Sequence, residues 1–361
     1  MTTFHALRVV AVQPDTDQAT IITLAVPANL QPHFVRLPGQ YLTLRCDVAG
    51  VALTRCYSIC TGMQTQLLQI AVKRVQGGAV SNWLNDHVVA GMDIDVAPPQ
   101  GNFCAPVGAD HAASYCFIAS GSGITPVISN ISSILAIEPD SQVTLLYGNQ
   151  RLSTMMFREQ LSFLKNAHMT RLHWVNLFSR EDQGCDILNG RLNNRKGADL
   201  NRRLINLQKF DEYFICGPES MISEVSRGLR QFGIPETRIH YELFAASADD
   251  ARQVVAKHQA RAKTHAGKTS QVTIVRDGRS TTFDVRADGE NILDAGLAQG
   301  LDLPYSCKGG VCSTCKARLT HGQVDMDISH GLEADEVEAG SILTCQSHPV
   351  SDAVTLDFDR R

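Results

Sequence analysis

Four cysteines, Cys307, Cys312, Cys315 and the distant Cys345, stand in a C-x4-C-x2-C…C arrangement near the end of a 361-residue chain. This is the ligand spacing of plant-type [2Fe-2S] clusters, in which four thiolates hold two irons and the group carries one electron at a time. The loop Ser306-Cys307-Lys308-Gly309-Gly310-Val311-Cys312-Ser313-Thr314-Cys315 is built largely of small residues. A thiolate cage needs them, because backbone N–H groups must turn inward toward the sulfurs. Structural zinc is the competing chemistry, but zinc sites usually pair one C-x2-C with a second or with two histidines, and neither follows here. A disulfide framework is a weaker reading still in a chain of this length.

Three further constellations could handle a two-electron carrier. Arg55-Cys56-Tyr57-Ser58 ends a strand-like run, and Gly78-Ala79-Val80-Ser81 opens a helix. Tyr57 can stack on a planar ring, Ser58 can reach a polar ring atom, and Arg55 can hold a phosphate with paired hydrogen bonds. Gly78, Val80 and Ser81 lie where free helix N–H groups would meet a pyrophosphate. Together they read as a site for a dinucleotide flavin, although Arg55 could equally cap its strand. Next, Gly121-Ser122-Gly123-Ile124-Thr125-Pro126 joins a strand to a helix, which suits a pyridine nucleotide at Gly121, Gly123 and Thr125 without completing the G-x-G-x-x-G fingerprint. Ser179 and Arg180 follow a later strand, where they could clamp the 2′-phosphate of NADPH or form an ordinary polar loop. Cys216-Gly217-Pro218 closes the last strand of that region and places Cys216 at a carboxyl edge, beside a nicotinamide or simply packed. Glu242 and Phe244 end the module.

The elements that must position these groups fall into three patterns. Residues 1–108 read as short strands, Leu7–Val12, Ala19–Val26, Gln40–Arg45, Thr54–Ile59 and Leu67–Val72, which predicts an antiparallel β-barrel. Residues 109–246 alternate strand and helix: Tyr115–Ala119, Thr125–Ile137, Gln142–Tyr147, Met155–Leu164, Arg171–Leu177, Tyr213–Cys216 and Glu219–Phe232. This predicts an α/β domain on a parallel sheet. Residues 247–268 are polar and alanine-rich and read as a linker. Residues 269–361 show a hairpin about Asp277-Gly278, a helix over Asn291–Gln299, the cysteine loop and a last strand Ala353–Phe358, which predicts an α+β β-grasp ferredoxin domain.

Composition sets limits. The chain is 43% hydrophobic with a formal net charge of −4, so nothing general points to nucleic acid. Lys plus Arg against Asp plus Glu run 20 to 20 over residues 1–246 and 8 to 15 over residues 269–361. The acidic end, with Glu333, Asp335, Glu336 and Glu338, could steer toward a basic partner or be a solvated helix face. No apolar run is long enough for a membrane helix and the start lacks a signal peptide, so a cytoplasmic protein is expected. The other cysteines, mostly in apolar runs, suit buried thiols.

The order Arg55-x-Tyr57-Ser58, Gly78-x-x-Ser81, Gly121-x-Gly123-x-Thr125-Pro126, Cys216-Gly217-Pro218 and the four-cysteine loop resembles the ferredoxin-NADP reductase superfamily with a C-terminal plant-type ferredoxin. The start Met1-Thr2-Thr3-Phe4-His5, the run Arg55–Cys60 and the loop Cys307–Cys312 are similar to reductase components that feed di-iron monooxygenases. The resemblance implies FAD rather than FMN, Tyr57 against the isoalloxazine, Arg55 and Ser81 on the pyrophosphate, and Ser58 near flavin N5. It also implies that Cys216 and Glu242 position the nicotinamide and that Ser179-Arg180 selects NADPH. Such reductases often end on an aromatic stack, whereas here Phe244 is followed by more chain.

A nicotinamide gives two electrons together, an iron–sulfur centre takes one, and a flavin can deal with both. Electron transfer from NADPH through FAD and [2Fe-2S] is therefore expected, and the resemblance implies that the acceptor is a separate di-iron oxygenase that epoxidises an aromatic acyl-CoA. No Glu-x-x-His motif of a di-iron site occurs in this chain. A reductase for a ring-hydroxylating dioxygenase, or a flavin and cluster redox sensor without turnover, are the alternatives.

Overall fold

The computed structural model describes residues 3–244, 248–305 and 307–360; Met1, Thr2, residues 245–247, Ser306 and Arg361 lie outside the described residues. The chain forms two compact units, Phe4–Glu242 and, after it, Leu243–Arg361.

The first unit begins with six antiparallel strands: β1 (His5–Thr16), β2 (Ala19–Ala25), β3 (Tyr41–Val48), β4 (Val51–Ser58), β5 (Leu68–Lys73) and β6 (Asp93–Val96). Their order is β4-β3-β6-β1-β2-β5. A bridge between Ile59 and Ile70 and the bond Cys60 N–H to Gln69 O (3.0 Å) bring the two ends together into a barrel. Period-two alternation sends Leu7, Val9, Ile22, Leu24, Leu42 and Leu44 inward, and helix α1 (Ala79–His87) adds Val80 and Leu84 to the same core. Strand β6 escaped sequence reading because it is four residues long with two aspartates. Its Ile94 and Val96 face the core, while Asp93 and Asp95 pair outward with Arg8 (2.7 Å) and Arg45 (2.8 Å).

A parallel sheet follows: β7 (Ser114–Ser120), α2 (Ile124–Ile137), β8 (Gln142–Asn149), α3 (Arg158–Ala167), β9 (Leu172–Phe178), α4 (Asn194–Arg203), β10 (Glu212–Cys216), α5 (Glu219–Gln231) and β11 (Ile239–Glu242). The order β11-β10-β7-β8-β9 reverses direction at β7, so the crevice outside the carboxyl ends of β7 and β10 is the topological switch point. Helix α2 is buried along nearly its whole length, and three of its polar residues receive hydrogen bonds from the barrel domain. Ser129 Oγ accepts from Gly39 N, Ser133 Oγ from Met63 N (2.9 Å) and Asn130 Oδ1 from Ala105 N (2.8 Å). Helix α3 starts at Arg158, three residues later than Met155. Phe157 takes a left-handed φ of 57°, with its N–H held 3.1 Å from both carboxylate oxygens of Asp15 on β1.

The second unit holds α6 (Ala248–Thr264), β12 (Thr269–Arg276), β13 (Arg279–Arg286), α7 (Ile292–Ala298), β14 (Lys316–His321), β15 (Val324–Met326), α8 (Ala334–Glu338), β16 (Ser341–Leu343), β17 (Ser347–Pro349) and β18 (Ala353–Asp357). The segment read as a linker is thus helical over most of its length. Five strands lie in the order β13-β12-β18-β14-β16, with the first and last of the domain, β12 and β18, parallel and adjacent. Strands β15 and β17 form a separate pair. Asp277 and Gly278 turn the β12–β13 hairpin with φ of 51° and 69°, the primed-turn conformation that matches strand twist. Asn291 caps α7 by accepting from Asp294 N (2.9 Å). Cys315 and Cys345 lie in the core of this domain beside Val272, Leu293 and Leu356. No helix among the described residues is long and apolar enough to cross a membrane.

Candidate functional site

In the first unit, β4 places Arg55 and Tyr57 on one face and Ser58 on the other. Tyr57 is half-buried, and burial raises its phenol above the ordinary value. Arg55 is exposed, with Nη1 folded back on Thr54 O at 2.7 Å. At α1, a Cβ on Gly78 would fall 2.5 Å from Ser81 Oγ, so glycine lets the serine tuck under the turn, where it accepts from Val75 N (3.3 Å). Val80 is a core residue, so only its backbone could serve a ligand. No side chain caps the start of α1, and its first amides can receive a phosphate.

At the switch point the glycines permit close backbone approach. Gly121 has a left-handed φ of 56°, and its carbonyl accepts from Tyr147 Oη (3.0 Å). A Cβ on Gly123 would lie 2.1 Å from Cys216 O and 2.8 Å from Gly217 N. A Cβ on Gly217 would meet Met221 Cε at 2.7 Å. Thr125 Oγ1 bonds Ser122 O (3.0 Å) and stiffens the turn, while Pro218 stands at the start of α5.

Ser58, Cys216 and Glu242 come together although 184 residues separate the first from the last. Parallel register sets Cys216 opposite Glu242 across β10 and β11, and Ser58 Oγ donates to Glu242 Oε2 at 3.4 Å. Burial lifts the Glu242 carboxyl to about 8, partly offset by that hydrogen bond. Burial, and then the Glu242 charge, push the Cys216 thiol well above its ordinary value. The group can therefore hold a proton at a carboxyl beside a hydroxyl, with little thiolate character at the cysteine.

Ser179 and Arg180 leave β9 alongside β8, through Ser179 N to Asn149 O and Arg180 N to Gln150 O, both 2.9 Å. They occupy the same carboxyl edge two strands from β7, and the exposed Arg180 guanidinium has no side-chain partner among the described residues. Phe244, beyond β11, is exposed and falls in the second unit.

Lys73 was not picked out by sequence. It ends β5, burial lowers its pKa, and Nζ comes within 3.7 Å of where a Gly121 Cβ would stand, with no partner among the described residues. The available signal was a lysine directly following the predicted strand Leu67–Val72. Tyr147, inside an apolar run, carried no such signal.

In the second unit the cysteine loop curls through three left-handed residues, Lys308 (φ 52°), Gly310 (75°) and Ser313 (55°). The curl aims amides at sulfur: Gly309 N donates to Cys307 Sγ (3.2 Å) and Cys307 N to Cys312 Sγ (3.4 Å). Gln346 Nε2 approaches Cys345 Sγ at 3.7 Å. A Cβ on Gly310 would meet Gln346 Cγ and Ile328 Cγ2 at 2.9 Å, and one on Gly331 would meet Ser313 N at 3.0 Å. All four cysteines are free thiols, with Cys315 and Cys345 buried and Cys307 and Cys312 half-buried. Thiol hydrogen-bond contact with Cys307 lowers Cys312 to about 5, while Cys307 and Cys345 are pushed up by the thiols that share their protons. Two thiol pairs, Cys307 with Cys312 and Cys315 with Cys345, together with the inward amides fit a cluster bound as thiolates.

Comparison with known proteins agrees with this layout. Residues 11–104 match the oxidoreductase FAD-binding domain family, residues 117–227 the oxidoreductase NAD-binding domain family, and residues 274–350 the 2Fe-2S iron-sulfur cluster binding domain family. The chain is 41% identical over 361 residues to one of the component chains of 1,2-phenylacetyl-CoA epoxidase from Escherichia coli, covering 100% of this chain and 99% of the relative. It is 32% identical over 368 residues to the ferredoxin reductase component of 3-ketosteroid-9-alpha-monooxygenase from Rhodococcus rhodochrous, covering 98% and 96%. Among solved structures, phthalate dioxygenase reductase shares the fold with a TM-score of 0.60 at 23% identity, over 98% of both chains.

Proposed function

Because the chain belongs to the ferredoxin-NADP reductase superfamily, in the branch carrying a C-terminal 2Fe-2S domain, we propose that it is an NADPH-dependent reductase component that delivers electrons to a di-iron oxygenase acting on phenylacetyl-CoA. The convergence of Ser58, Cys216 and Glu242 beside the Gly121–Gly123 turn is the observation that supports the reading, since one crevice could then serve both a flavin and a nicotinamide. When bound, FAD supplies the conversion that neither neighbour can make, taking an electron pair and releasing electrons singly.

The chain's own residues then have distinct tasks. Tyr57 offers a face for the isoalloxazine, and Arg55 with the amides of Gly78, Val80 and Ser81 holds the pyrophosphate. Ser58 and Glu242 keep a proton beside the reacting ring atoms. Gly121, Gly123, Thr125, Cys216, Gly217 and Pro218 seat the pyridine nucleotide, and Lys73 lends its charge to a phosphate there. Ser179 and Arg180 read the 2′-phosphate. Cys307, Cys312, Cys315 and Cys345 hold the [2Fe-2S] cluster.

The 41% identical epoxidase component supports this choice of acceptor, and this chain offers no Glu-x-x-His motif for a di-iron site of its own. The 32% identical ketosteroid reductase component keeps a second reading in view, a reductase for another oxygenase. The test is NADPH-driven reduction of cytochrome c, followed by coupling to purified phenylacetyl-CoA oxygenase components. Product formation only with this chain supports the proposal; rapid cytochrome c reduction without coupling would move it to another oxygenase. Arg180→Ala should raise KM for NADPH at least tenfold more than for NADH, and equal losses would remove Arg180 from phosphate recognition.

A further inference from the structure

Helix α6 joins the rest of its unit through a cluster that none of the sites above uses. His258 lies on α6, His348 on β17, and Asp327 directly follows β15. His258 Nε2 stands 2.8 Å and His348 Nε2 3.2 Å from the same oxygen, Asp327 Oδ2. One ligand atom from each of the three lies within 4.8 Å of the others. The backbone fixes two of them: Asp325 pairs with His348 across β15 and β17, and Asp327 N donates to Gln346 O at 2.8 Å. The side chains of Asp327 and His348 are 6% and 4% exposed, while that of His258 is 50% exposed and leaves the cluster open on one side.

Two imidazoles donating to one oxygen account for Asp327 Oδ2 only. His348 Nδ1 and Asp327 Oδ1 remain buried without a well-formed hydrogen bond, although Arg261 Nη2 stands 2.7 Å from Oδ1 as an ion pair. Two imidazole nitrogens and a carboxylate oxygen, brought from three chain segments to one point, are the donor set of a borderline divalent ion of the zinc class. A fourth position would remain for water on the exposed side. Arg261, which also pairs with Asp325, would hold the far oxygen of Asp327 as the carboxylate's outer partner. The other nearby cation, Lys257, is engaged by the carbonyls of Met326 (2.6 Å) and Asp327 (3.2 Å) and does not face the imidazoles.

We propose that His258, Asp327 and His348 form a binding site for one Zn2+-class cation, and that the ion fastens α6 to the 2Fe-2S domain. The ligands come from the helix and from the β15–β17 pair, so binding free energy becomes stability of that attachment. The experiment is equilibrium dialysis of the full-length chain, flavin and cluster in place, against micromolar free Zn2+, followed by zinc K-edge absorption. One zinc per chain is expected, with nitrogen and oxygen neighbours at about 2.0–2.2 Å and no sulfur near about 2.3 Å. His258→Asn, at an exposed side chain, should weaken binding at least tenfold while leaving cytochrome c reduction and the cluster spectrum unchanged. Zinc should also slow amide exchange in α6 of the wild type and not of the variant. No stoichiometric zinc, a sulfur shell, or undiminished binding by His258→Asn would each overturn the proposal.

Discussion

Replacing Gly123 by Ala tests the close approach on which the nucleotide crevice depends. The added Cβ would sit 2.1 Å from Cys216 O, 2.4 Å from its carbonyl carbon and 2.8 Å from Gly217 N. An ordinary carbon–oxygen contact needs well over 3 Å, roughly the van der Waals separation, so the loops after β7 and β10 must part by about 1 Å. The obstacles are backbone atoms of Cys216, at the buried end of β10, and of Gly217 just past it, and cannot rotate aside. Overpacking of this kind costs about 1–3 kcal/mol, and the upper end applies here. For a unit of this size that lowers the unfolding midpoint by roughly 6–12 °C. The functional loss should be larger, since a misplacement of about 1 Å in a positioning element can lower a rate about 100-fold. The assay is NADPH- and NADH-driven ferricyanide and cytochrome c reduction, with thermal unfolding alongside. The cluster spectrum serves as an internal control because the cysteine loop belongs to the other compact unit. Gly197→Ala in α4 is the matched control: nothing lies within 4 Å of its Cβ, so it should be neutral or stabilise by about 0.5–1 kcal/mol. Wild-type kcat/KM and midpoint in Gly123→Ala would refute the packing argument.

The carboxyl of Glu242 is raised from 4.5 to about 8, so the native state binds its proton more tightly than the unfolded chain does. Stability must therefore fall as pH rises from about 4.5 to 8, by on the order of 2 kcal/mol once partial exposure is allowed for. Glu242→Gln should flatten that slope, as read from denaturant midpoints of the flavin-free protein at pH 5.5 and 8; an unchanged slope would assign it to other groups. Gly310→Ala adds a Cβ at a φ of 75° and 2.9 Å from Gln346 and Ile328, so iron and acid-labile sulfide per chain should drop to less than half; full loading would show that the loop tolerates a side chain there. Asp15→Ala leaves the Phe157 N–H without its acceptor and should destabilise the first unit by about 1–3 kcal/mol in urea unfolding; a change under about 0.5 kcal/mol would mean water replaces the carboxylate.

The cysteine loop was legible in the sequence because ligand spacing and small residues are local properties, as are the strand-turn-helix around Gly121 and the strand before Ser58. What could not be read locally is what lies beside what. Ser58 and Glu242 meet only because β10 and β11 are in parallel register and the barrel packs on the same edge; nothing in either neighbourhood announces the other. Strand β11 itself, Ile239–Glu242, is too short to show a period. Helix α4 was missed for a different reason: Leu200 is its one buried residue, so it carries no apolar stripe to detect.

Helix α6 shows the same limit from the other side. Its low apolar content argues for a spacer, and hydrophobic patterning could not have revealed a docked helix. It is held instead by charge, through Lys257, His258 and Arg261 against Asp325, Asp327 and two backbone carbonyls. Such contacts weaken as salt screens their exposed members, whereas a packed apolar face loses nothing to salt over the same range. The attachment of α6 should therefore loosen selectively with salt while the β-grasp core of Val272, Leu293 and Leu356 stays folded. Amide exchange at 0.1 and 1 M NaCl checks this directly: α6 alone should accelerate, and uniform acceleration across the domain would show that helix and core unfold as one.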